Sequence, residues 1–218
     1  MSMSSRRERC RSWTLYAITC PTAAGQNPLK AVEDALKGGA SVVQLRDKNA
    51  SDAELLSQAK NLLALTRRYG VPLIVNDRAH VAKEAGADGL HLGQDDGSLA
   101  EARILLGELA LIGRSTHSPE QALAAEKEGF DYIGVGPVYE TPTKPGRPAV
   151  GLEFVRFAAN NLKVPFTAIG GIDEKNVGSV LDAGARTVAF VRAVMAQAHP
   201  AEAAKKLNTL ILERKTSR

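Results

Sequence analysis

Short apolar segments alternate with longer amphipathic segments along most of the chain. The apolar segments are not strictly alternating, which is typical of parallel strands covered on both faces. The amphipathic segments repeat apolar residues at helical spacing, which predicts helices. Eight strands are predicted at residues 13–19, 42–45, 73–75, 89–92, 111–113, 132–135, 165–169 and 187–191. Helices are predicted at residues 28–37, 52–69, 98–106, 119–128, 152–160 and 174–181, with a short helix ending at residue 84 and a C-terminal helix to about residue 212.

Several predicted helices begin and end at residues that favour helix termini. Asn27 followed by Pro28 fits an N-cap and a first helical position. Ser51 and Glu54 have the spacing of a capping box. Gly70 follows the second long helix, where glycine readily adopts the conformation that ends one. These signals support the same succession of elements that the hydrophobic pattern predicts.

Eight strands alternating with eight helices predict a single (β/α)8 TIM barrel, with a doubly wound open sheet as the alternative. A phosphate-binding barrel places glycine-rich turns after strands 7 and 8, where Gly170-Gly171 and the turn after Val191 lie. The predicted catalytic domain covers residues 13–213. Residues 1–12 are predicted to be a disordered basic tail, and residues 214–218 a second basic tail.

Charge is concentrated at the two ends of the chain. The formal net charge is +4, of which residues 1–13 carry +3 and residues 213–218 carry +2, so the remainder is about −1. The basic ends lack the length and the interleaved aromatic residues of a nucleic-acid arm, so no nucleic-acid partner is expected. The 44% hydrophobic and 24% charged fractions are ordinary for a globular protein.

The cysteines and the apolar runs bear on the cellular compartment. Cys10 and Cys20 are too few for a disulfide framework or a metal site, so a reducing, cytoplasmic setting is expected. No apolar run approaches the roughly 20 residues that span a membrane, so no membrane partner is expected. Residues 15–20 follow an arginine-rich start as in a secretory signal, but they are short and fit a first strand better.

Polar clusters follow the predicted strands, which in a barrel places them together at the C-terminal face, where catalytic residues collect. Asp77 follows strand 3 and Asp96 follows strand 4. Two carboxylates on neighbouring strand ends suit Mg²⁺, which takes one or two of them together with substrate phosphate. Asp95 competes with Asp96 as a ligand, and Asp77 and Asp96 could instead cap the helices that follow.

Cations and a polar loop occur at the same end of the predicted barrel. Arg46 and Lys48 follow strand 2, and Lys144 lies in a loop rich in Pro, Gly and Thr after strand 6. An arginine fork and lysine point charges suit a diphosphate. Gly170-Gly171, leading into a helix, could expose N–H groups to a second phosphate or could simply form a tight turn. The loop itself fits either an anion-binding segment or a plain surface connection.

The histidines are less informative. His91 lies within strand 4 and fits a hydrogen-bonded barrel residue. His117 ends strand 5 and could act as an acid–base group, although no carboxylate partner is visible in the sequence. His80 and His199 are expected on helix surfaces. The chain contains no Walker loop, no zinc spacing and no Ser–His–Asp order.

Six motifs in a fixed order nevertheless resemble one known family. They are residues 44–48 (QLRDK), 76–78 (NDR), 91–96 (HLGQDD), 113–117 (GRSTH), 134–144 (GVGPVYETPTK) and 168–172 (AIGGI). From about Leu15 to Leu212 the chain resembles thiamine-phosphate synthase, also called thiamine-phosphate pyrophosphorylase.

The resemblance implies a Mg²⁺-dependent transferase acting on small phosphorylated substrates. It would join 4-amino-2-methyl-5-(hydroxymethyl)pyrimidine diphosphate to a thiazole phosphate, giving thiamine phosphate and pyrophosphate. The diphosphate would leave first, with Mg²⁺ assisting, and a pyrimidine carbocation would then be attacked by the thiazole nitrogen. Whether the protein forms a homo-oligomer is left open.

The resemblance also assigns roles to individual residues. The residues resembling pyrimidine-diphosphate contacts are Gln44, Arg46, Lys48, Asn76, Ser115 and Lys144, of which Arg46, Lys48 and Lys144 would be catalytic. The residues resembling metal ligands are Asp77 and Asp96, which favours Asp96 over Asp95. The residues at thiazole-phosphate positions are Thr141, Thr143, Gly171, Val191 and Arg192. Many family members have Ser where this chain has Arg192, so the role of that side chain stays open.

Two alternatives remain at this stage. One is a thiazole tautomerase-like relative, which shares the barrel and a histidine near position 117. The other is a non-catalytic barrel that binds a phosphorylated ligand as a regulator. Both are expected to lack the complete diphosphate and metal set that this chain carries, since function follows the site rather than the fold.

Overall fold

A closed barrel of eight parallel strands is at the centre of the computed structural model, which describes residues 2–20, 27–141, 146 and 148–216. Each strand pairs with the next along the chain, and the last pairs with the first. The strands are β1 (Leu15–Ile18), β2 (Ala40–Leu45), β3 (Leu73–Asn76), β4 (Gly89–Leu92), β5 (Leu111–Thr116), β6 (Tyr132–Val135), β7 (Phe166–Ile169) and β8 (Val188–Phe190). The predicted (β/α)8 barrel is confirmed, and the open-sheet alternative is excluded.

Helices surround the barrel and connect successive strands. They are α1 (Met3–Arg11), α2 (Pro28–Lys37), α3 (Asp52–Arg68), α4 (Ala79–Ala85), α5 (Leu99–Leu106), α6 (Pro119–Glu128), α7 (Gly151–Asn161), α8 (Val177–Asp182), α9 (Arg192–Met195) and α10 (Pro200–Thr216). Asn27 caps α2 and the Ser51–Glu54 capping box begins α3, as predicted. Among the described helices, none is long and apolar enough to cross a membrane.

The strands divide their side chains between two apolar layers. Val43 and Leu45 of β2 belong to the layer between the sheet and the helices, whereas Val42 belongs to the barrel interior. Gln44, two residues from Val42, faces the interior as well and bonds to Tyr16 there. This period of two follows from the pleat of a strand. The upper interior positions are therefore available for polar groups that face a ligand.

The N-terminal segment departs from the prediction. Residues 1–12 were expected to be a disordered tail, but Met3–Arg11 form α1 at the N-terminal end of the barrel. The sequence pattern is misleading here because arginines rather than an apolar stripe hold this helix. The guanidinium of Arg7 donates to the Phe130 carbonyl oxygen at 3.0 Å, and that of Arg11 to the Lys163 carbonyl oxygen at 2.9 Å.

A buried ionic cluster ties α1 to the barrel. Asp131 is 0% exposed and accepts from Arg6 Nε at 2.8 Å, from the Ile112 N–H at 2.9 Å and from the Arg103 guanidinium. Arg6 is itself only 5% exposed. Each charge is therefore paired where water cannot solvate it.

We expect Asp131→Ala to lower the free energy of unfolding by about 3–5 kcal/mol, because it leaves two arginines without their buried partner. Urea unfolding followed by circular dichroism measures the change. Glu108→Ala is the matched control, since Glu108 also pairs with Arg6 but is 71% exposed, and such pairs contribute little. Equal stability of the two variants would contradict a structural role for the buried cluster.

The C-terminal segment also differs from the prediction. The expected single helix is divided into α9 and α10, and α10 continues to Thr216. The basic tail expected at residues 214–218 therefore starts inside a helix. Arg214 pairs with Asp182, and Lys215 donates to the Trp13 carbonyl oxygen at 2.6 Å. These two contacts explain why the basic residues continue the helix instead of leaving it.

Candidate active site

A cavity of about 480 Å³ opens at the carboxyl ends of the strands. Its floor contains Tyr16, His91 and Tyr132 from three different strands, and its walls come from the loops that follow the strands. Gly170-Gly171 after β7 and the Val191–Arg192 turn after β8 lie on one side. In a TIM barrel this is the face where catalytic residues collect.

The cavity brings most of the predicted site residues together. Its lining includes Gln44, Arg46, Asn76, Ser115, Thr141, Gly171, Val191 and Arg192. Lys48, Asp77 and Asp96 are not part of that lining but form a group of their own, in which Lys48 and Asp77 pair. The predicted residues Thr143 and Lys144 lie outside the described residues.

Arg46 lines the cavity and is anchored through its backbone. Its N–H donates to Thr19 Oγ1 at 2.9 Å, and the Thr19 hydroxyl donates to the Arg46 carbonyl oxygen at 3.2 Å. Within the described part of the chain, no side-chain partner of the guanidinium is found. A half-buried arginine with a fixed backbone is well suited to binding two oxygen atoms of a phosphate or diphosphate group.

Asp77 and Asp96 form a close carboxylate pair. Burial, followed by the hydrogen bond and charge of Asp96, raises the pKa of Asp77, while Lys48 opposes the shift from 3.5 Å. Asp96 Oδ2 also accepts the Gly93 N–H at 2.8 Å. Two carboxylates that repel each other in a partly buried site favour a cation between them.

Neither aspartate serves as a helix cap, which was the alternative interpretation. The N-cap of α4 is Arg78, without a side-chain hydrogen bond, and that of α5 is Ser98, in a capping box with Glu101. Asp77 moreover has a φ of 62°, a left-handed conformation that costs a non-glycine residue free energy. Its N–H donates to the His91 carbonyl oxygen at 2.9 Å, which fixes this conformation.

Among the described residues no group of three or more His, Cys, Asp or Glu side chains could hold a metal ion. Two carboxylates nevertheless fit Mg²⁺, which is commonly bound through one or two of them and completed by substrate phosphate and water. The donor set present therefore fits a cation that arrives with, or is completed by, a phosphorylated ligand.

The glycine turn after β7 has a geometry that requires glycine. Gly170 and Gly171 have φ angles of 104° and 64°. A Cβ atom on Gly171 would lie 2.6 Å from the Glu140 carbonyl oxygen. A side chain at this position would therefore displace the wall of the cavity.

The histidines take different places. His91 is a hydrogen-bonded barrel residue, as expected, with Nδ1 3.0 Å from Tyr132 Oη and Nε2 2.9 Å from Ser115 Oγ. His117 lies in the cavity wall, where Nδ1 is 2.5 Å from the Gly136 carbonyl oxygen. His80 is exposed on the outside, 2.7 Å from Asp52.

The model of the family described as thiamine monophosphate synthase matches residues 15–194 of the chain. The chain belongs to the thiamine monophosphate synthase family. Thiamine-phosphate synthase of Thermus thermophilus is 50% identical over 196 residues, covering 88% of this chain and 94% of that relative. Thiamine-phosphate synthase of Synechocystis is 49% identical over 202 residues, covering 93% of this chain but only 58% of that relative. The chain thus spans little more than half of the Synechocystis protein.

The fold comparison agrees with the family assignment. The solved structure of thiamine phosphate pyrophosphorylase from Pyrococcus furiosus superposes with a TM-score of 0.87 at 36% identity, covering 95% of this chain and 98% of that chain.

The cavity floor of this thiamine monophosphate synthase family member contains two residues that were not among the predicted site residues. Tyr16 and Tyr132 were counted only as apolar strand residues, yet both line the cavity and both hydroxyls are hydrogen bonded. Tyr16 pairs with Val42, two residues before Gln44, and Tyr132 pairs with Gly113, two residues before Ser115. Side chains two residues apart on a strand share a face, so the alternation along the strands was the available signal.

Proposed function

We propose that the protein condenses 4-amino-2-methyl-5-(hydroxymethyl)pyrimidine diphosphate with a thiazole phosphate, releasing pyrophosphate and thiamine phosphate. The observation that carries the proposal is the close Asp77–Asp96 pair, which caps no helix and has Lys48 at 3.5 Å from Asp77. Lys48 follows Arg46 by two residues in the loop after β2. Family membership supports the reaction. This reaction requires mainly stabilisation of the departing negative charge, which the cations of the site can supply.

The pyrimidine diphosphate would lie across β2, β3 and β5. Gln44, Asn76 and Ser115 offer amide and hydroxyl groups to the pyrimidine side of the ligand, all from the cavity lining. Arg46 and Lys48, together with Lys144, would bind the diphosphate oxygens, the guanidinium as a fork and the ammonium groups as point charges. Positively charged side chains bound to the departing diphosphate lower the barrier to its departure, because they stabilise its negative charge.

Asp77 and Asp96 would hold Mg²⁺. When bound, Mg²⁺ supplies positive charge that stabilises the departing diphosphate. The protein side chains prepare this site by keeping two carboxylates close together and by partly burying Asp77, and this burial is the main cause of the raised pKa of Asp77. The assignment of Asp96 rather than Asp95 is supported by its direct interaction with Asp77.

The thiazole phosphate would lie on the opposite side of the cavity. The N–H groups around Gly171 and the Val191–Arg192 turn can bind phosphate oxygens, and Thr141 and Thr143 add hydroxyls. Arg192 is exposed at the start of α9, so its side chain could add a contact at the mouth of the cavity. The two phosphate sites then face each other across the cavity, with the reacting carbon and the thiazole nitrogen between them.

The apolar parts of the floor and wall have a chemical role in this proposal. Departure of the diphosphate leaves a pyrimidine carbocation, which water would capture if it were present. Ile18, Ile169 and Ile172 line the cavity and restrict water near the reacting carbon. The thiazole nitrogen, held by its phosphate, then forms the new carbon–nitrogen bond.

The test mixes purified protein with both substrates and Mg²⁺ and oxidises the product to fluorescent thiochrome. We expect product that depends on both substrates and is accompanied by an equal amount of pyrophosphate. A tautomerase-like activity would change the thiazole phosphate without forming thiochrome, and a regulatory barrel would bind a ligand without turnover. Either outcome, with verified substrates, would refute the proposal. A cytoplasmic location is proposed because two cysteines, of which Cys10 is buried, are too few for the disulfide framework of a secreted protein.

A further inference from the structure

Five side chains form one continuous hydrogen-bonded chain across the barrel interior. Gln44 Nε2 donates to Tyr16 Oη at 2.8 Å, and Tyr16 Oη lies 3.0 Å from Tyr132 Oη. Tyr132 Oη lies 3.0 Å from His91 Nδ1, and His91 Nε2 lies 2.9 Å from Ser115 Oγ. The chain therefore connects β2, β1, β6, β4 and β5. Its two ends are the residues proposed to contact the pyrimidine.

The middle of this chain is sealed from water on the side away from the cavity. Trp13 packs edge-on beneath both rings, 5.7 Å from Tyr16 and 5.0 Å from Tyr132 between ring centroids. Cys10 of α1 belongs to the same interior layer. A Cβ atom at Gly113 would lie 2.1 Å from the Tyr132 ring, so the glycine makes room for it. The barrel is thus shaped around these tyrosines.

Each hydroxyl in this hydrogen-bonded chain has a single proton to donate. The donor of one hydrogen bond therefore determines the donor of the next. With Gln44 donating to Tyr16, the Tyr16 proton must go to Tyr132, because Gln44 and Tyr132 are the partners of that hydroxyl among the described residues. The Tyr132 proton must then go to His91 Nδ1, which makes Nε2–H the donor to Ser115. Burial raises the pKa of both tyrosines, so both keep their protons.

This direction sets what each end offers to a ligand. Gln44 turns its carbonyl oxygen Oε1 away from Tyr16 and can accept a hydrogen bond with it. Ser115 accepts from His91 and so has its own proton free to donate. Reversing one end requires turning the Gln44 amide, both tyrosine hydroxyls, the His91 tautomer and the Ser115 hydroxyl together. Buried hydrogen bonds are costly to leave unmade, so the ends change together or not at all.

We infer that Tyr16, Tyr132 and His91 are positioning residues that hold Gln44 as an acceptor and Ser115 as a donor, so that the site selects an aminopyrimidine. The inference rests on the proposed function, since it names how that same site recognises its pyrimidine. An exocyclic amine beside a ring nitrogen offers a donor and an acceptor, which matches the two ends. The analogue with a carbonyl in place of the amine, and a proton on the ring nitrogen, offers the reverse pattern.

The first test measures the His91 tautomer in the free wild-type protein by 15N NMR. The protein contains 4 histidines, and comparison with the spectrum of His91→Asn identifies the signals of His91. We expect a protonated Nε2 and an unprotonated Nδ1. A protonated Nδ1 would overturn the inference. This measurement needs no substrate turnover, so it stands or fails independently of the proposed reaction.

The second test breaks the chain in the middle with Tyr132→Phe. Wild type should prefer the amino- over the oxo-pyrimidine diphosphate by at least about a hundredfold in kcat/KM, as expected when a site pairs with a specific polar group. In Tyr132→Phe the two halves can reorient separately, so the preference should fall by about tenfold or more. The KM for the thiazole phosphate should stay unchanged, because no hydrogen bond of this chain of side chains involves the Gly171 turn or the Val191–Arg192 turn.

Two further variants make this test specific. Tyr16→Phe breaks the same chain at a neighbouring link and should reduce the preference similarly, which protects the test if one variant folds poorly. Tyr69→Phe removes the same atom from a tyrosine at the end of α3 and should leave the preference at its wild-type value. An equal fall in activity toward both pyrimidines, with the preference intact, would show that the tyrosines only support the fold.

Discussion

Asp77→Asn should lower kcat/KM by about a hundredfold or more at limiting Mg²⁺, while the protein melts no lower than wild type. The loss follows from removing one of two proposed carboxylate ligands, since metal sites depend strongly on each ligand. Stability should not fall, because Asn tolerates the φ of 62° and carries no charge to repel Asp96. The lost ion pair with Lys48 contributes little, because the Lys48 side chain is 57% exposed.

The direction of the pKa shift of Asp77 supports the expectation that Asp77→Asn does not destabilise the protein. The pKa of Asp77 is raised in the folded protein, so the folded state holds this proton more tightly than the unfolded state. The stability gained in this way is present at low pH and is lost as pH rises through the folded pKa. At neutral pH the ionised Asp77 therefore costs stability, and Asn removes that cost. Mg²⁺ affinity should also weaken as the pH falls and the carboxyl binds its proton.

Three variants compared in one magnesium titration make the prediction sharp. Asp77→Asn and Asp96→Asn should both raise the Mg²⁺ concentration needed for half-maximal rate. Asp95→Asn should leave it near the wild-type value, although Asp95 is the neighbour of Asp96. If Asp95→Asn has the largest effect, the metal ligand has been assigned to the wrong aspartate. If all three behave as wild type, the carboxylate pair does not hold the metal.

Arg46→Ala should lower kcat/KM by about a hundredfold to a thousandfold, the range seen when one preorganised group that stabilises developing charge is removed. Arg46 lines the cavity and its backbone is fixed by Thr19, so loss of the guanidinium should remove charge without moving the loop. Arg46→Lys should recover only part of the rate, because an ammonium cannot bind two oxygens as a fork. Steady-state kinetics with the pyrimidine diphosphate varied measures both variants.

Arg78→Ala is the matched control for Arg46→Ala. Arg78 is adjacent to Asp77 in sequence, but its guanidinium is bound to Asp52 at 2.7 Å, and the Asp52 side chain is 58% exposed. Removing it should change kcat/KM by less than about threefold, because its charge is already paired with a carboxylate that takes no part in the proposed reaction. Comparable losses in Arg46→Ala and Arg78→Ala would indicate a general effect of charge rather than a specific diphosphate contact.

The barrel was predictable because local signals and the global fold agree. Apolar runs such as those in β4 and β6 could be recognised as covered strands, and the Ser51–Glu54 box marked a helix start that the structure confirms. The site face was predictable for a related reason. Connections after parallel strands must emerge at one end of the barrel, so polar clusters after successive strands had to meet.

The features that could not be predicted depend on contacts distant in sequence. α1 lacks an apolar stripe, and its stability comes from Arg6 and Asp131, which are 125 residues apart. The chain from Gln44 to Ser115 likewise becomes visible only when five strands are closed into a barrel. β5 extends through Ser115 and Thr116 although polar residues had suggested its end at residue 113. The ladder with β6 continues through both residues, since Ser115 pairs with Gly134 and Thr116 with Val135.

The location of α1 at the base of the barrel has a practical consequence. The helix lies at the N-terminal ends of the strands, where Arg7 and Arg11 bind the carbonyls that precede β6 and β7. A linker joined to Ser2 would leave the molecule on the side opposite the cavity. The protein could therefore be immobilised on a resin, or fused behind another enzyme, with the mouth of the barrel still directed toward the surrounding solution.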